Sequence, residues 1–401
     1  MTTRGDLTLR LARLQQRKSL RVLGINSGTS GDSIDLAVLS LERTGNKVTW
    51  RWVDGSTRKF RPQLQKMIWQ VADAQAIDLD EVVYLNAALG QAFAEAALSL
   101  IRKLARGRTS IDVIASHGQT VRHLPRRVKR DKYRVHGTLQ LGSPETIAAK
   151  AGLPVVADFR QAAIARGLEG APITTAAMKR LFGATDHSRL LVNIGGMANY
   201  FYFPSKKLRA RESAADCGPG NVLVDLLARR LYNQPYDRQG RHASVGTVSQ
   251  RLLSLLTANP FFSGKSQSTG REVFGPVMEQ QVLDFCKRHH LSSEDAMATV
   301  AELTVSAIVS CIWPMVRRDY DLEEVLVFGG GRKNRHFMRR LRRQLPDIDI
   351  KPVDEMGIDG DLVEAAAYAV MGEAAIRGEE LELTAGKRKT DRAICGRVVQ
   401  G

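Results

Sequence analysis

The sequence predicts an α/β protein whose second half repeats the pattern of its first. The chain has 401 residues, too many for one small hydrophobic core, so two domains or one large bilobed unit are expected. Each half contains an apolar strand, a polar turn with glycine, and a second strand that returns antiparallel. The turns are residues 26–33 and residues 193–199.

The remaining elements follow from hydrophobic periodicity and turn residues. In the first half, strands are predicted at 21–28, 34–42, 47–55 and 111–118, with a helix over 81–107. In the second half, strands are predicted at 153–159, 189–196, 198–204 and 323–331, with a helix over 221–232. Residues 1–19 form a basic N-terminal extension, for which a short amphipathic helix and a frayed segment are both open.

Composition indicates a globular protein of the cytoplasm. Hydrophobic residues make up 43% of the chain and charged residues 25%, which leaves ample apolar area to bury. No apolar run approaches the roughly 18 residues that suggest a membrane span, and no secretory signal is recognisable. The four cysteines are widely scattered, so we expect reduced thiols rather than a zinc site or disulfides.

The net charge of +17 raises the question of nucleic acid. Basic clusters occur at residues 126–134, 332–343 and 387–392, but aromatic residues make up only 6% of the chain. No recognisable helix-turn-helix, zinc finger or aromatic strand platform accompanies these clusters. We therefore predict no specific nucleic-acid binding, and a solvated basic surface that assists attraction of a polyanionic nucleotide.

The first glycine turn carries the chemistry of a phosphate site. Thr29, Ser30 and Ser33 supply hydroxyls, while Asp32 and Asp35 supply carboxylates. Hydroxyls and backbone N–H groups suit phosphate oxygens, and a carboxylate suits Mg²⁺. The segment is not a G-x-x-x-x-G-K-S/T loop, so the P-loop class is disfavoured. Two ordinary hairpins with glycine turns remain the alternative interpretation.

Three further segments could carry function. Asp216 precedes a Gly-Pro-Gly turn and a helix, where it could act as a general base or simply cap the helix. His117 follows a buried strand at the carboxyl end, where ligands bind in α/β sheets, although a histidine in this position is more often structural. Residues 329–334 follow an apolar strand and form a turn suited to lying against adenine.

These segments together resemble the anhydro-N-acetylmuramic acid kinase family. The matching motifs are residues 24–35, 116–125, 140–148, 152–160, 169–174, 192–199, 216–221, 265–272, 327–334 and 361–369, in order from about Leu20 to the end. The resemblance implies an α/β fold of two duplicated actin-like domains, of the sugar-kinase and ribonuclease-H-like type, around a nucleotide and sugar cleft. We place domain I at residues 20–142 plus about 365–401, and domain II at residues 143–364.

The resemblance also implies an activity, in which water opens the 1,6-anhydro bridge and ATP phosphorylates the freed 6-hydroxyl. The expected cofactors are ATP and Mg²⁺, and the expected partners are ATP and an anhydro-sugar, with a homodimer left open. Asp216 is the implied catalytic base, and Asp32 the implied metal ligand. The implied ATP-binding residues are Gly28, Thr29, Ser30, Gly31, Asp32, Ser33, Ile34, Asp35, Gly195, Gly196, Gly329, Gly330, Gly331 and Asn334. The implied substrate-binding residues are His117, Arg122, Arg160 and Glu364.

The sequence departs from the family pattern at several of these motifs. Asn26 replaces a methionine, Gly31-Asp32-Ser33 replaces Leu-Asp-Gly, Glu169 replaces a glutamine, and Met178 replaces a histidine. These changes leave the identity of the anhydro-sugar open, and levoglucosan is one alternative. A catalytically silent ATP-binding regulatory protein and a nucleic-acid-associated protein are alternatives from other classes.

Overall fold

The chain forms two compact units. The computed structural model describes residues 4–28, 30–45, 47–184, 186–263, 271–383 and 391–400. Unit 1 comprises residues 1–181 and 362–401, and unit 2 comprises residues 182–361.

Unit 1 is built on a mixed sheet. Its elements before the crossing to unit 2 are α1 (Arg4–Gln16), β1 (Ser19–Ser27), β2 (Ser33–Thr44), β3 (Lys47–Lys59), α2 (Pro62–Asp73), α3 (Leu79–Arg106), β4 (Val113–Arg130), β5 (Tyr133–Leu141), α4 (Pro144–Ala151), β6 (Val155–Ala157), α5 (Gln161–Ala165) and α6 (Thr175–Phe182). Strands β1, β2 and β3 form the predicted antiparallel meander, and β4 and β6 continue the sheet parallel to β1. Strand β5 pairs antiparallel with β4, and it lies outside the linear order in which the other strands of the sheet are paired.

Unit 2 repeats this topology. Its elements are β7 (Ser188–Ile194), β8 (Met197–Phe203), β9 (Ser213–Pro219), α7 (Val222–Tyr232), α8 (Gln250–Thr257), α9 (Arg271–Phe274), α10 (Pro276–His289), α11 (Ser293–Arg318), β10 (Leu322–Phe328), α12 (Arg335–Gln344) and β11 (Asp349–Pro352). The strand order β11-β10-β7-β8-β9 corresponds to β6-β4-β1-β2-β3 of unit 1, with the same parallel and antiparallel neighbours. The predicted fold class, two duplicated α/β units, is therefore confirmed.

The C-terminal segment returns to unit 1. It contains α13 (Val363–Ile376), β12 (Leu381–Glu382), β13 (Arg392–Ala393) and β14 (Arg397–Val399). Strand β14 pairs antiparallel with β6, and β12 pairs with β13. A Cβ at Gly24 in β1 would lie 1.8 Å from the carbonyl oxygen of Ala365, so only glycine lets α13 approach the sheet this closely. Leu23 and Ile25 alternate to the other face and pack with the buried side of α3.

The unit boundaries differ from the predicted ones. Residues 143–181, which were assigned to domain II, belong to unit 1, because α4 packs against α3 and β6 pairs with β4. The return to unit 1 comes at Leu362 rather than at 365, because α13 packs on the sheet from its first turn. The sequence pattern of residues 143–181 does not show whether β6 joins the sheet of unit 1 or that of unit 2.

The N-terminal extension takes the helical alternative. Within α1, Leu14 is buried and Arg10 donates a hydrogen bond to the carbonyl oxygen of Gly152 at 3.1 Å. Just after the helix, Arg17 pairs with Asp112 of unit 1. The extension is therefore part of unit 1.

Helix α11 differs from the expectation that no segment suits a membrane. Its 26 residues are long and apolar enough to cross a bilayer, by length and composition alone. However, 72% of the apolar window is buried, and Val300, Leu303 and Ile308 belong to the hydrophobic core of unit 2. The core helix of a globular protein meets the same criterion, so α11 is weak evidence for a membrane span.

Candidate functional site

The first glycine turn, between β1 and β2, is fixed by a glutamine from the neighbouring strand. The side-chain amide of Gln119 on β4 donates from Nε2 to the carbonyl oxygen of Gly28 at 3.2 Å. Its Oε1 accepts a hydrogen bond of 2.5 Å from the Ser27 hydroxyl. Gln119 is buried, and it was not predicted from the sequence as a site residue. The only sequence signal was its place in the motif after the buried strand.

The displaced glycine has a definite role in this turn. Gly31 has a φ of +60°, a left-handed conformation that favours glycine, and its N–H donates to the carbonyl oxygen of Gly28 at 3.0 Å. The indole of Trp69 on α2 donates to the carbonyl oxygen of Ser30 at 2.9 Å. The turn is thus rebuilt around Gly31 and held from α2. Thr29 lies outside the described residues, as does most of the motif at 265–272.

Two carboxylates follow the turn. The Ser30 hydroxyl donates to Oδ1 of Asp32, which is exposed, at 2.8 Å. The Thr57 hydroxyl donates to Oδ1 of the half-buried Asp35 at 2.8 Å. Burial, with the nearby charges of Glu364 and Asp32, raises the pKa of Asp35 to about 7, against the lowering effect of the Thr57 hydrogen bond. A cation at these carboxylates would favour their ionised forms. The side chain of Ile34 is buried in the core, which leaves only its backbone for a ligand.

A second cluster in unit 1 joins three of the four predicted sugar-binding residues. Arg160 donates from Nε to Nε2 of His117 at 3.0 Å, and the His117 ring stacks on Tyr368 of α13 at 4.5 Å. Burial, and then the charge of Arg160, lower the pKa of His117 well below its usual value, so the imidazole is neutral. Since the guanidinium can only donate, the His117 proton is on Nδ1. Tyr368 was not predicted as a site residue.

Glu364 lies at the start of α13 in the same cluster. Asn26, at the end of β1, donates from Nδ2 to Oε2 of Glu364 at 2.9 Å. Burial raises the pKa of Glu364, while the Asn26 hydrogen bond and the charge of Arg160 oppose that rise. The residue that replaces the family's methionine therefore contacts a predicted substrate-binding carboxylate directly.

Arg122 is placed differently from these three. It is exposed on β4, and its guanidinium donates to the carbonyl oxygen of Ala74, just after α2. No hydrogen bond or ion pair within the described ranges joins it to His117, Arg160 or Glu364. The structure therefore does not bring Arg122 into the cluster that its motif suggested.

In unit 2, the two glycine turns lie against each other. The Asn221 side chain donates from Nδ2 to the carbonyl oxygens of Ile194 and Gly195, each at 2.9 Å, which fixes the turn between β7 and β8. A Cβ at Gly331 would lie 2.2 Å from the Ile194 side chain, and a Cβ at Gly329 would lie 2.3 Å from Oδ1 of Asn193. Gly329 and Gly331 are therefore required by packing within the unit. Asn334 caps α12, since its Oδ1 accepts from two backbone N–H groups of the first turn.

Three other turn glycines are not required by packing. A Cβ at Gly196 would meet nothing within 4 Å in the described part of the chain. Among the described residues, a Cβ at Gly330 would meet Nδ2 of Asn221 at 3.9 Å, and a Cβ at Gly28 would meet the Ser30 hydroxyl at 3.8 Å. None of the three has a positive φ. Open space beside the backbone at these positions allows a ligand to approach the main chain closely.

Asp216 lies on β9, opposite Asn199 of β8. It is exposed, yet the protein around its carboxyl removes enough water to raise the pKa of Asp216 to about 6. Within the described residues its carboxylate accepts no hydrogen bond, and α7 begins after Asn221 without a side-chain cap. The alternative interpretation, that Asp216 caps the helix, is therefore not observed.

The duplicated topology, the open glycine turns, and a carboxylate that has a raised pKa and no hydrogen-bond partner in the described residues define a two-unit α/β protein with a candidate catalytic acid–base group. Comparison with known proteins then gives the family. The sequence profile for anhydro-N-acetylmuramic acid kinase matches residues 20–390. The chain belongs to the anhydro-N-acetylmuramic acid kinase family, and it is an enzyme that transfers a phosphoryl group to an alcohol.

Curated relatives cover nearly the whole chain. An anhydro-N-acetylmuramic acid kinase from Salinibacter ruber is 34% identical over 93% of this chain and 94% of its own length. Proteins of the same name from Cyanothece sp. and Caldanaerobacter subterraneus are 36% and 31% identical, over 88% and 92% of this chain and 92% and 94% of their own lengths. The resemblance expected from the ten motifs is confirmed.

Proposed function

We propose that this enzyme uses ATP and water to convert 1,6-anhydro-N-acetylmuramic acid into N-acetylmuramic acid 6-phosphate, a reaction of cell-wall recycling. The observation that carries the proposal is Asp216, an exposed carboxylate with no hydrogen-bond partner in the described residues and a pKa of about 6. It lies within the motif at 216–221, inside the family match over residues 20–390. The four cysteines are free, which is compatible with the reducing cytoplasm.

Asp216 is the proposed general base. Above its pKa of about 6 the carboxylate is ionised, so at neutral pH it can take a proton from water. That water attacks the anomeric carbon, and the bond from this carbon to the 6-oxygen breaks. The released 6-oxygen then forms a bond to the γ-phosphorus of ATP, and ADP leaves. Asp216 then releases its proton to solvent, so one water and one ATP are consumed for each sugar phosphate, ADP and proton formed.

The glycine turns are the proposed ATP-binding elements. The open space at Gly28, Gly196 and Gly330 supports close approach of phosphates and base to the backbone. Mg²⁺ fits the donors of the first turn, where Asp32 and Asp35 would hold it. No group of three or more potential ligand residues is found in the described ranges, but Mg²⁺ commonly needs only one or two carboxylates in addition to phosphates. When bound, Mg²⁺ would offset negative charge on the phosphates.

The unit 1 cluster is the proposed sugar-binding element. Arg160, whose guanidinium carries N–H donors, holds the neutral His117 ring in place together with Tyr368. Glu364 offers a carboxylate oxygen, and Asn26 orients it. Hydroxyl, amide and carboxylate groups of an amino sugar would pair with such donors and acceptors. Arg122 is not part of this proposal.

A mass-resolved phosphorylation assay tests the function. The enzyme is incubated with ATP, Mg²⁺ and either 1,6-anhydro-N-acetylmuramic acid or levoglucosan, and the product is identified by mass. We expect a product heavier than the lactyl-bearing sugar by one water and one phosphoryl group, with much slower turnover of levoglucosan. Preference for levoglucosan would assign a different substrate, and ATP binding without turnover of either sugar would contradict the enzymatic proposal.

A further inference from the structure

Unit 2 contains a cavity of about 720 Å³ that neither the glycine turns nor Asp216 line. It lies between the loop after α7 and the first turns of α12. Four arginines line it, together with His336 and Tyr236. The arginines are Arg238, Arg241, Arg335 and Arg339. Among the described residues that line the cavity there is no aspartate or glutamate, so the charges on this wall are positive.

The four arginines are exposed, and they differ in their partners from other arginines nearby. No ion pair with a carboxylate is found for any of them in the described ranges. Other arginines of the same basic segment are paired, since Arg332 binds three aspartates and Arg340 binds Glu302. Asp237, the carboxylate within the loop itself, is buried and accepts the backbone N–H groups of residues 242 and 243. Like charges held close together destabilise one another, and a bound anion would relieve that repulsion.

His336 contacts one of the four arginines. Its side chain is only 7% exposed, and Nδ1 accepts a hydrogen bond from Arg339 at 3.1 Å. A guanidinium can only donate, so the imidazole proton is on Nε2. This buried Nε2 has no partner in the described residues. His336 thus contributes to the cavity by accepting from Arg339, which holds that guanidinium at the wall.

The cavity is also rigidly framed. A Cβ at Gly240 would lie 2.2 Å from Oδ1 of Asn334 and 2.5 Å from Cβ of His336, so the loop packs directly on the start of α12. The N-terminal end of a helix favours negative charge nearby, which adds to the field of the arginines. Tyr236, 54% exposed, offers a flat apolar face beside the charged groups.

From these contacts we infer that the cavity binds a small molecule that carries one or more phosphoryl groups. Guanidinium groups bind phosphate oxygens through paired hydrogen bonds, and the arginines on the two sides of the cavity could contact one ligand together. A volume of about 720 Å³ suits a nucleotide or a sugar phosphate. A concave wall with one aromatic residue fits such a ligand better than duplex nucleic acid, which spreads phosphate contacts along an open surface. This site is additional to the proposed ATP and sugar elements.

Calorimetric titration of the full chain tests this inference. Inorganic pyrophosphate, glucose 6-phosphate and a short DNA duplex are titrated separately into the wild-type protein. The same titrations are made with Arg238→Gln, Arg339→Gln and the control Arg251→Gln, an exposed arginine on α8 that does not line the cavity. We expect one phosphate ligand per chain, weakened about tenfold by either cavity substitution and unchanged in the control.

A second experiment distinguishes binding in the cavity from binding at the proposed ATP site. The pyrophosphate titration is repeated with a saturating nonhydrolysable ATP analogue, and each variant is also assayed for its Michaelis constant for ATP. Persistent binding with an unchanged Michaelis constant in Arg238→Gln would support an independent site. Three results would each overturn the inference. Pyrophosphate binding could be lost when the ATP analogue is present, or the cavity variants and the control could bind it equally well. The third is tighter binding of the DNA duplex than of either small ligand. Thermal melts of both variants identify any loss that comes from unfolding.

Discussion

Asn26 and Glu364 are joined by a hydrogen bond of 2.9 Å although they are 338 positions apart in the chain. Asn26 is the next-to-last residue of β1, and Glu364 is the second residue of α13, which packs on the sheet. The amide donor favours the ionised carboxylate, whereas burial favours the neutral acid. The residue at position 26 therefore influences the protonation of Glu364.

Replacing Asn26 by methionine, the residue of the family pattern, should raise the pKa of Glu364. The substitution removes the donor and adds apolar surface, and both changes disfavour the charged form. Carbon-13 NMR titration of the glutamate carboxyls would measure this shift, with Glu364→Gln to assign the signal. An unchanged or lowered pKa in Asn26→Met would contradict the proposed coupling.

Gly330 and Gly331 should respond to valine in different ways. At Gly331 a side chain would collide with Ile194, so Gly331→Val should lower the melting temperature of the protein. At Gly330 the protein leaves room, so Gly330→Val should fold normally. If adenine lies at this turn, Gly330→Val should raise the Michaelis constant for ATP far more than that for the sugar. Equal changes in both constants, or none, would remove Gly330 from the nucleotide site.

Arg332 should contribute strongly to the stability of unit 2. Its guanidinium is buried and binds Asp354 at 2.6 Å, Asp359 at 3.0 Å and also Asp361. Arg332→Met should lower the free energy of unfolding by about 3 kcal/mol, the lower end for a broken buried ion pair, because the aspartates stay partly solvated. The control is Arg343→Met, at an exposed position of α12, where a change within about 0.5 kcal/mol is expected. Urea unfolding measures both, and similar losses in the two variants would contradict the argument.

The sequence predicted what is local and repeated. The apolar strands and glycine turns at 21–42 and 189–204 became β1–β2 and β7–β8, because alternation and turn residues determine hairpins over short distances. Contacts between distant segments could not be predicted in this way. The pairing of Asn26 with Glu364, the support of the first turn by Gln119, and the return of β14 to β6 depend on tertiary packing.

Two further features could not be predicted from the local sequence pattern. The predicted domain boundary after residue 142 differs from the unit boundary of the structure, because β6 joins the sheet of unit 1. A strand of three residues has too short a sequence pattern to predict its pairing. The alternative role of Asp216 as a helix cap arose because the segment before the Gly-Pro-Gly turn lacks clear alternation, and β9 was not foreseen. Its register, with Asp216 opposite Asn199, is set by β8 rather than by the segment itself.

Asp216 provides the most direct test of the proposed mechanism. As a general base it must be ionised, and its pKa of about 6 lies above the ordinary value of 3.8 because surrounding protein excludes water. Wild-type kcat/KM for the sugar should therefore rise with pH through about 6 and level off above it, since the ionised fraction of Asp216 grows in that interval.

Asp216→Asn cannot accept the proton and should lower kcat by about a hundred- to ten-thousandfold, with the rise near pH 6 lost. Asp216→Glu, which keeps a carboxylate, should recover part of the activity, and binding of a nonhydrolysable ATP analogue should stay within a few-fold in both variants. In ¹⁸O-water, early product should carry the label at the anomeric hydroxyl and not in the phosphate ester. Label in the phosphate, or near-normal turnover by Asp216→Asn, would exclude Asp216 as the base that activates water.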